Sequence, residues 1–250
     1  MGHERIGILP RSHNWNKIRD ALLQFNSDFN NTTQIAKITI QNVRNRFSNL
    51  INDSASTAVI DFLLELSNHY NVGDKKDVNI NVPINPSPLQ LLKIYESTTN
   101  IQYSSREYES IIKDSFARAL VKYYNTHKPE QTNLFQVQNP RDFVWGNLTN
   151  AKGFCELSRY YYSNLTENYL KYFLDREASA IVQNISERET LSNSIYIHSF
   201  ETARIVQSFA AGWFNKNAKN KKPSQAAIKK FTSYIATKIK AELLREEELL

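Results

Sequence analysis

Residues 153–182 read GFCELSRYYYSNLTENYLKYFLDREASAIV. After Gly153 this stretch holds no proline and no further glycine, and Leu157, Tyr160, Tyr161, Leu165, Tyr169, Phe173 and Ala180 fall at helical spacing. A run of that length with a period near 3.6 predicts one long helix from Phe154 to about Val182. The fold class follows from it, because the segments on either side repeat the pattern.

Downstream, Ser186 followed by Glu189 has capping-box spacing, and Leu191, Ile195, Phe200, Ile205 and Phe209 predict a helix running on to about Phe214. Pro223-Ser224 then opens a last helix with Ile228, Phe231, Ile235, Ile239 and Leu243 on one stripe. Upstream, Tyr108, Ile111, Ile112, Phe116, Leu120 and Tyr123 make another apolar face, preceded by a short helix over 89–95. Nearer the start, Trp15, Ile18, Leu22, Phe25 and Phe29 predict one helix and Ile40, Val43, Phe47, Leu50 and Ile51 a second. A third, capped by Asp53 or Ser54, carries Val59, Phe62, Leu63 and Leu66. Residues 73–88, with Pro83, Pro86 and Pro88, and residues 125–140 read as long loops; only Val78, Ile80 and Val82 alternate as a strand would. The expectation is an all-α bundle of eight or nine helices with at most one extended segment near 78–82. It forms a single domain over 1–250, divisible into sub-lobes 1–85 and 86–250.

A chain of 250 residues with 41% hydrophobic residues buries enough surface to fold without staples, and a single cysteine forms no internal disulfide. No window reaches the roughly 18 apolar residues of a membrane span, and the first residues lack a secretory apolar run, so a cytoplasmic location without membrane contact is expected. The net charge of +6 is unevenly spread. Between Glu201 and Glu242 there is no acid, while Arg204, Lys216, Lys219, Lys221, Lys222, Lys229, Lys230, Lys238 and Lys240 are all positive. These nine charges exceed the net total, so the remainder is mildly acidic, an asymmetry that suits an anionic partner.

Phosphate-cradling, Rossmann, GxSxG, HExxH and CxxC signatures are all missing, and with six glycines the chain has little material for phosphate loops. His198 and Glu201 lie three apart on one helix; joined by Glu156 or Glu167 they form the alternative reading, a helical enzyme with a His/Glu, metal-dependent site. Three converging ligands are required for it, and no metal or other cofactor is expected. Cys155, at a helix start, is either an activated thiol or a small buried side chain, and burial is the expectation. In FAAGWFNK, 209–216, small residues flank Trp213 and Phe214, which pack in the core or anchor a partner protein. Lys216, Lys219, Lys221, Lys222, Lys229 and Lys230 are the candidate contacts to nucleic acid, since clustered lysines bind phosphate through counterion release.

MGHERIGILP, GFCELSRYYYSNLTENYLKYFLDREASA and FETARIVQSFAAGWFNK together resemble a family of uncharacterised bacterial all-helical proteins of about this length. The resemblance implies a place in phage-defence or DNA-processing operons, and a partner there: a nuclease, helicase or ATPase. Joined to the residue-level reading, the expected function is a non-enzymatic accessory subunit that docks a partner enzyme and contacts nucleic acid through its lysine-rich C-terminal region.

Overall fold

The computed structural model describes residues 13–25, 29–71, 80–83, 85–98, 105–128, 144–219 and 222–245. They form nine α-helices: α1 (His13–Leu23), α2 (Phe29–Ile51), α3 (Ser54–Tyr70), α4 (Pro88–Thr98), α5 (Arg106–His127), α6 (Ala151–Ile181), α7 (Ile185–Thr202), α8 (Arg204–Asn217) and α9 (Gln225–Leu244). A 3-10 turn, Val144–Thr149, precedes α6. Helix accounts for 87% of the described residues, and no strand occurs among them. Ile80 and Val82 are buried and Asn81 exposed, so the alternation survives as an extended connection whose described part pairs with no strand. Val78 lies outside the described residues.

Helix α6 is the axis, with α5, α7, α8 and the 3-10 turn packed around it. Its sequence suggested one apolar face, but Gly153 to Cys155 and Tyr160 to Glu167 are buried without a break. Burial favours polar atoms that find partners within the protein, and several on α6 do so across to other helices. The hydroxyl of Tyr161 pairs with that of Ser56 at 2.9 Å, and Asn164 donates to the Ser115 carbonyl at 3.4 Å. Tyr169 donates to the Val43 carbonyl at 3.3 Å, and Tyr108, from α5, to that of Arg46 at 3.0 Å. Val43 is also where α2 kinks, with φ −115° and ψ 16°, so the bend and the bond to α6 meet at one residue. These bonds and one continuous core, from Trp15 to Leu243, join the segments on either side of residue 85. Trp145 donates to the Pro86 carbonyl at 2.8 Å and holds the proline-rich connection against the 3-10 turn.

Caps set most boundaries. Asp53 caps α3, Ser105 caps α5, Asn150 caps α6 and Ser224 caps α9, each side chain accepting from a first-turn N–H. Helix α7 departs from the capping-box expectation: Asn184 accepts from Ser186 N–H at 2.9 Å and takes the cap two residues earlier. The helix expected over 186–214 is two helices, broken at Ala203. Arg159 of α6 donates to the Phe200 carbonyl at 3.1 Å, the acceptor that the N–H of residue 204 takes in an unbroken helix. Thr202 bonds back to the His198 carbonyl at 2.8 Å, which bends a helix further. Helix α1 stops at Leu23, leaving buried Phe25 beyond its end, and Ala180 is exposed where Ala178 turns inward. Helix α5 extends to His127, into the expected second loop.

Candidate nucleic-acid interface

Helices α8 and α9 pair through aromatic rungs. The Phe209 and Tyr234 rings meet at 5.1 Å and 83°, and Trp213 stacks on Phe231 at 4.4 Å. Residue numbers rise along α8 as they fall along α9, so the pair is an antiparallel hairpin. That topology brings Lys216 and Lys219, at the end of α8, beside the beginning of α9, where Lys229 and Lys230 lie. Phe214 points inward, 2% exposed and 4.9 Å from Phe154, so its ring is used within the chain and not offered to a partner. Trp213 is half-buried between Phe231 and Phe154.

Lys216, Lys219, Lys229 and Lys230 are all exposed, and no carboxylate pairs with any of them among the described residues. Lys222 differs. Its ammonium lies 2.8 Å from Glu65 on α3, and beside it Gln225 donates to Asp61, whose carboxyl burial pushes above the ordinary carboxylate range. These two contacts link the start of α9 to α3 and give the Lys222 ammonium a carboxylate partner within the chain. Lys221 lies outside the described residues. Lys238 rests 5.4 Å from the Phe209 centroid and 5.3 Å from that of Tyr234, a cation held against two rings.

The expected residues therefore divide. Four lysines meet no carboxylate among the described residues, Lys222 is paired with Glu65, and Phe214 belongs to the core. Sequence reasoning passed over the aromatic part, Phe209 and Tyr234, together with Lys238's place upon it. A signal was present in Lys230-x3-Tyr234-x3-Lys238, a spacing that sets all three on one face of a helix.

The ligand set of the enzyme reading does not assemble. His198 is 8% exposed, and burial pulls its imidazole down to a pKa of about 4. Glu201 pairs with Arg204 at 2.7 Å, while Glu167 pairs with Lys171 at 2.6 Å and with Arg118 at 3.7 Å. Glu156 meets His127 at 3.0 Å and accepts from Tyr160 at 2.9 Å. Each acid thus has its own basic or hydroxyl partners, and no group of three or more His, Cys, Asp or Glu placed to hold a metal occurs among the described residues. Cys155 is 1% exposed, with its thiol pushed up to about 11 by burial, the opposite of an activated nucleophile. No helix among the described residues is long and apolar enough to cross a membrane. No protein-family model, curated protein or solved structure matches the chain, so the functional reading is carried by the residues themselves.

Proposed function

We propose that the chain is a non-enzymatic accessory subunit that engages the phosphate backbone of nucleic acid through the α8–α9 hairpin while docked on a partner enzyme. One observation carries the reading: Lys216, Lys219, Lys229 and Lys230 stand exposed, with no carboxylate paired to them among the described residues, on a stretch that holds no acid from Thr202 to Ala241. Lysines that merely keep a surface soluble are ordinarily interspersed with acids. A one-sign surface raises the local concentration of polyanions and releases their counterions on contact. The partner is the nuclease, helicase or ATPase of a bacterial phage-defence complex, as the sequence resemblance implies, and it supplies the chemistry.

Filter binding over a series of salt concentrations tests the proposal. Affinity falls linearly on a log-log plot, with a slope of about −0.9 per phosphate contact on duplex DNA and about −0.7 on single strands. Replacing the four lysines with Gln weakens binding for all sequences alike and flattens the slope by up to about four contacts. An unchanged slope in the quadruple variant overturns the assignment of this surface.

A further inference from the structure

The proposed contact with nucleic acid leaves open whether the hairpin receives a duplex or a single strand, and the aromatic residues between the lysines decide it. Tyr234 is 43% exposed, one of the large apolar side chains that the described residues leave in solvent. It stands four residues after Lys230 and four before Lys238. On a helix that spacing aligns the three on one face at intervals of about 6 Å. The row therefore alternates cation, ring, cation.

The ring is also held in place. Phe209 meets it at 83°, an edge-to-face contact that orients the ring, and the 43% of Tyr234 left exposed is the part another planar group can reach. Lys238 lies 5.4 Å and 5.3 Å from the two ring centroids, so a positive charge already rests on the aromatic pair and a phosphate brought there by a stacked nucleotide meets it. Base faces are accessible in single strands and hidden in duplexes. A ring flanked by lysines suits the first and adds nothing for the second.

Resting on the nucleic-acid reading above, we infer that the α8–α9 hairpin is a binding site for single-stranded nucleic acid, in which Tyr234 stacks one base while Lys230 and Lys238 take the neighbouring phosphates. Recognition is independent of sequence, because every base has a π face and no base-edge reader is required.

The test is fluorescence anisotropy on the full chain with labelled oligo-dT and with a duplex of equal length, at one fixed salt concentration and then across a salt series. The wild-type chain binds oligo-dT more tightly than the duplex. Tyr234→Leu, which keeps apolar cover over Phe209 but has no π face, loses about tenfold in oligo-dT affinity. It leaves duplex affinity and the salt slope unchanged. Tyr234→Trp restores or exceeds wild-type oligo-dT affinity. Salt-dependent binding in which Tyr234→Leu has no effect, or weakens both ligands equally, overturns the single-strand inference and leaves the lysine surface standing. Failure of the wild-type chain to bind either ligand overturns both. A melting curve for each variant confirms that the hairpin is folded, and the Trp variant keeps the test decisive if Leu perturbs packing.

Discussion

The ε-ammonium of Lys122 lies 4.0 Å from the ring centroid of Phe200 and donates to the hydroxyl of Tyr196 at 2.5 Å. The ring of Tyr160 adds a third wall at 4.8 Å. Arg159 approaches the same Phe200 ring at 4.0 Å and takes its carbonyl, so Phe200 joins α5, α6 and α7 just before the chain breaks into α8. The cluster thus sits immediately ahead of α8, the first helix of the lysine hairpin.

Replacing Lys122 with Met keeps the stem's volume but removes both the cation over the rings and the donor to Tyr196. A half-buried cation–π contact and one hydrogen bond together contribute about 1–3 kcal/mol. Urea unfolding of Lys122→Met shows that loss, while Val121→Ala, at the exposed neighbouring position, stays within about 0.5 kcal/mol of wild type.

Two glycines give opposite results with alanine. A Cβ on Gly153 overlaps the backbone carbonyl of Asn147 and comes within 2.9 Å of the Tyr123 hydroxyl, because the first turn of α6 is pressed against the 3-10 turn. The first obstacle is backbone, and the second is the tip of a fully buried ring with little room to move. Gly153→Ala therefore destabilises by about 3 kcal/mol. At Gly212, on α8, a Cβ meets nothing within 4 Å, so Gly212→Ala stabilises by about 0.5–1 kcal/mol through the entropy of the unfolded chain. Thermal midpoints moving in the same direction refute this account.

His198 makes stability depend on pH. The unfolded chain protonates this imidazole near its ordinary value of 6.5, whereas the folded chain keeps it neutral down to about 4. Between those values the unfolded state holds more protons, so stability falls as pH drops through the window, by about 2 kcal/mol at pH 5. Urea midpoints at pH 7 and pH 5 record the fall, and His198→Gln, neutral at both, makes it smaller whatever its absolute stability.

Cys155 is inert to thiol reagents in the native protein. Burial both excludes the reagent and keeps the thiol protonated at pH 8, so labelling proceeds only through opening of the core around α6. Reaction with a disulfide reagent is slow in buffer and immediate in denaturant. Prompt labelling of the folded chain disproves it.

Lys222 separates the internal ion pair from the surface. Its partnership with Glu65 means that Lys222→Gln changes the salt slope of nucleic-acid binding by less than one contact, whereas Lys230→Gln removes about one. Equal effects of the two single variants contradict the division drawn from the geometry.

Local rules specify much of this protein. The stripes over 108–123 and 228–243, the caps at Asp53 and Ser224, and the acid-free stretch from Thr202 to Ala241 are properties of neighbours in sequence, and the structure keeps the helices and caps they predict. Helix periodicity and capping depend on residues within about one turn of one another, and for that reason a sequence displays them.

Contacts between distant residues decided the rest. At the break, the Phe200 carbonyl accepts from Arg159, 41 positions away in sequence, and no local pattern reveals that contact. The fate of each lysine is likewise set elsewhere, since Lys222 is neutralised by Glu65 on α3 while Lys230 meets no acid among the described residues. The supposed co-ligands of His198 are engaged elsewhere: Glu156 by His127 and Glu167 by Arg118, both on α5, and Glu201 by Arg204 just beyond the break. Charge and hydrogen bonding act through space, so the sequence supplies the candidate groups, and only the packing of α6 among its neighbours determines which of them remain available to another molecule.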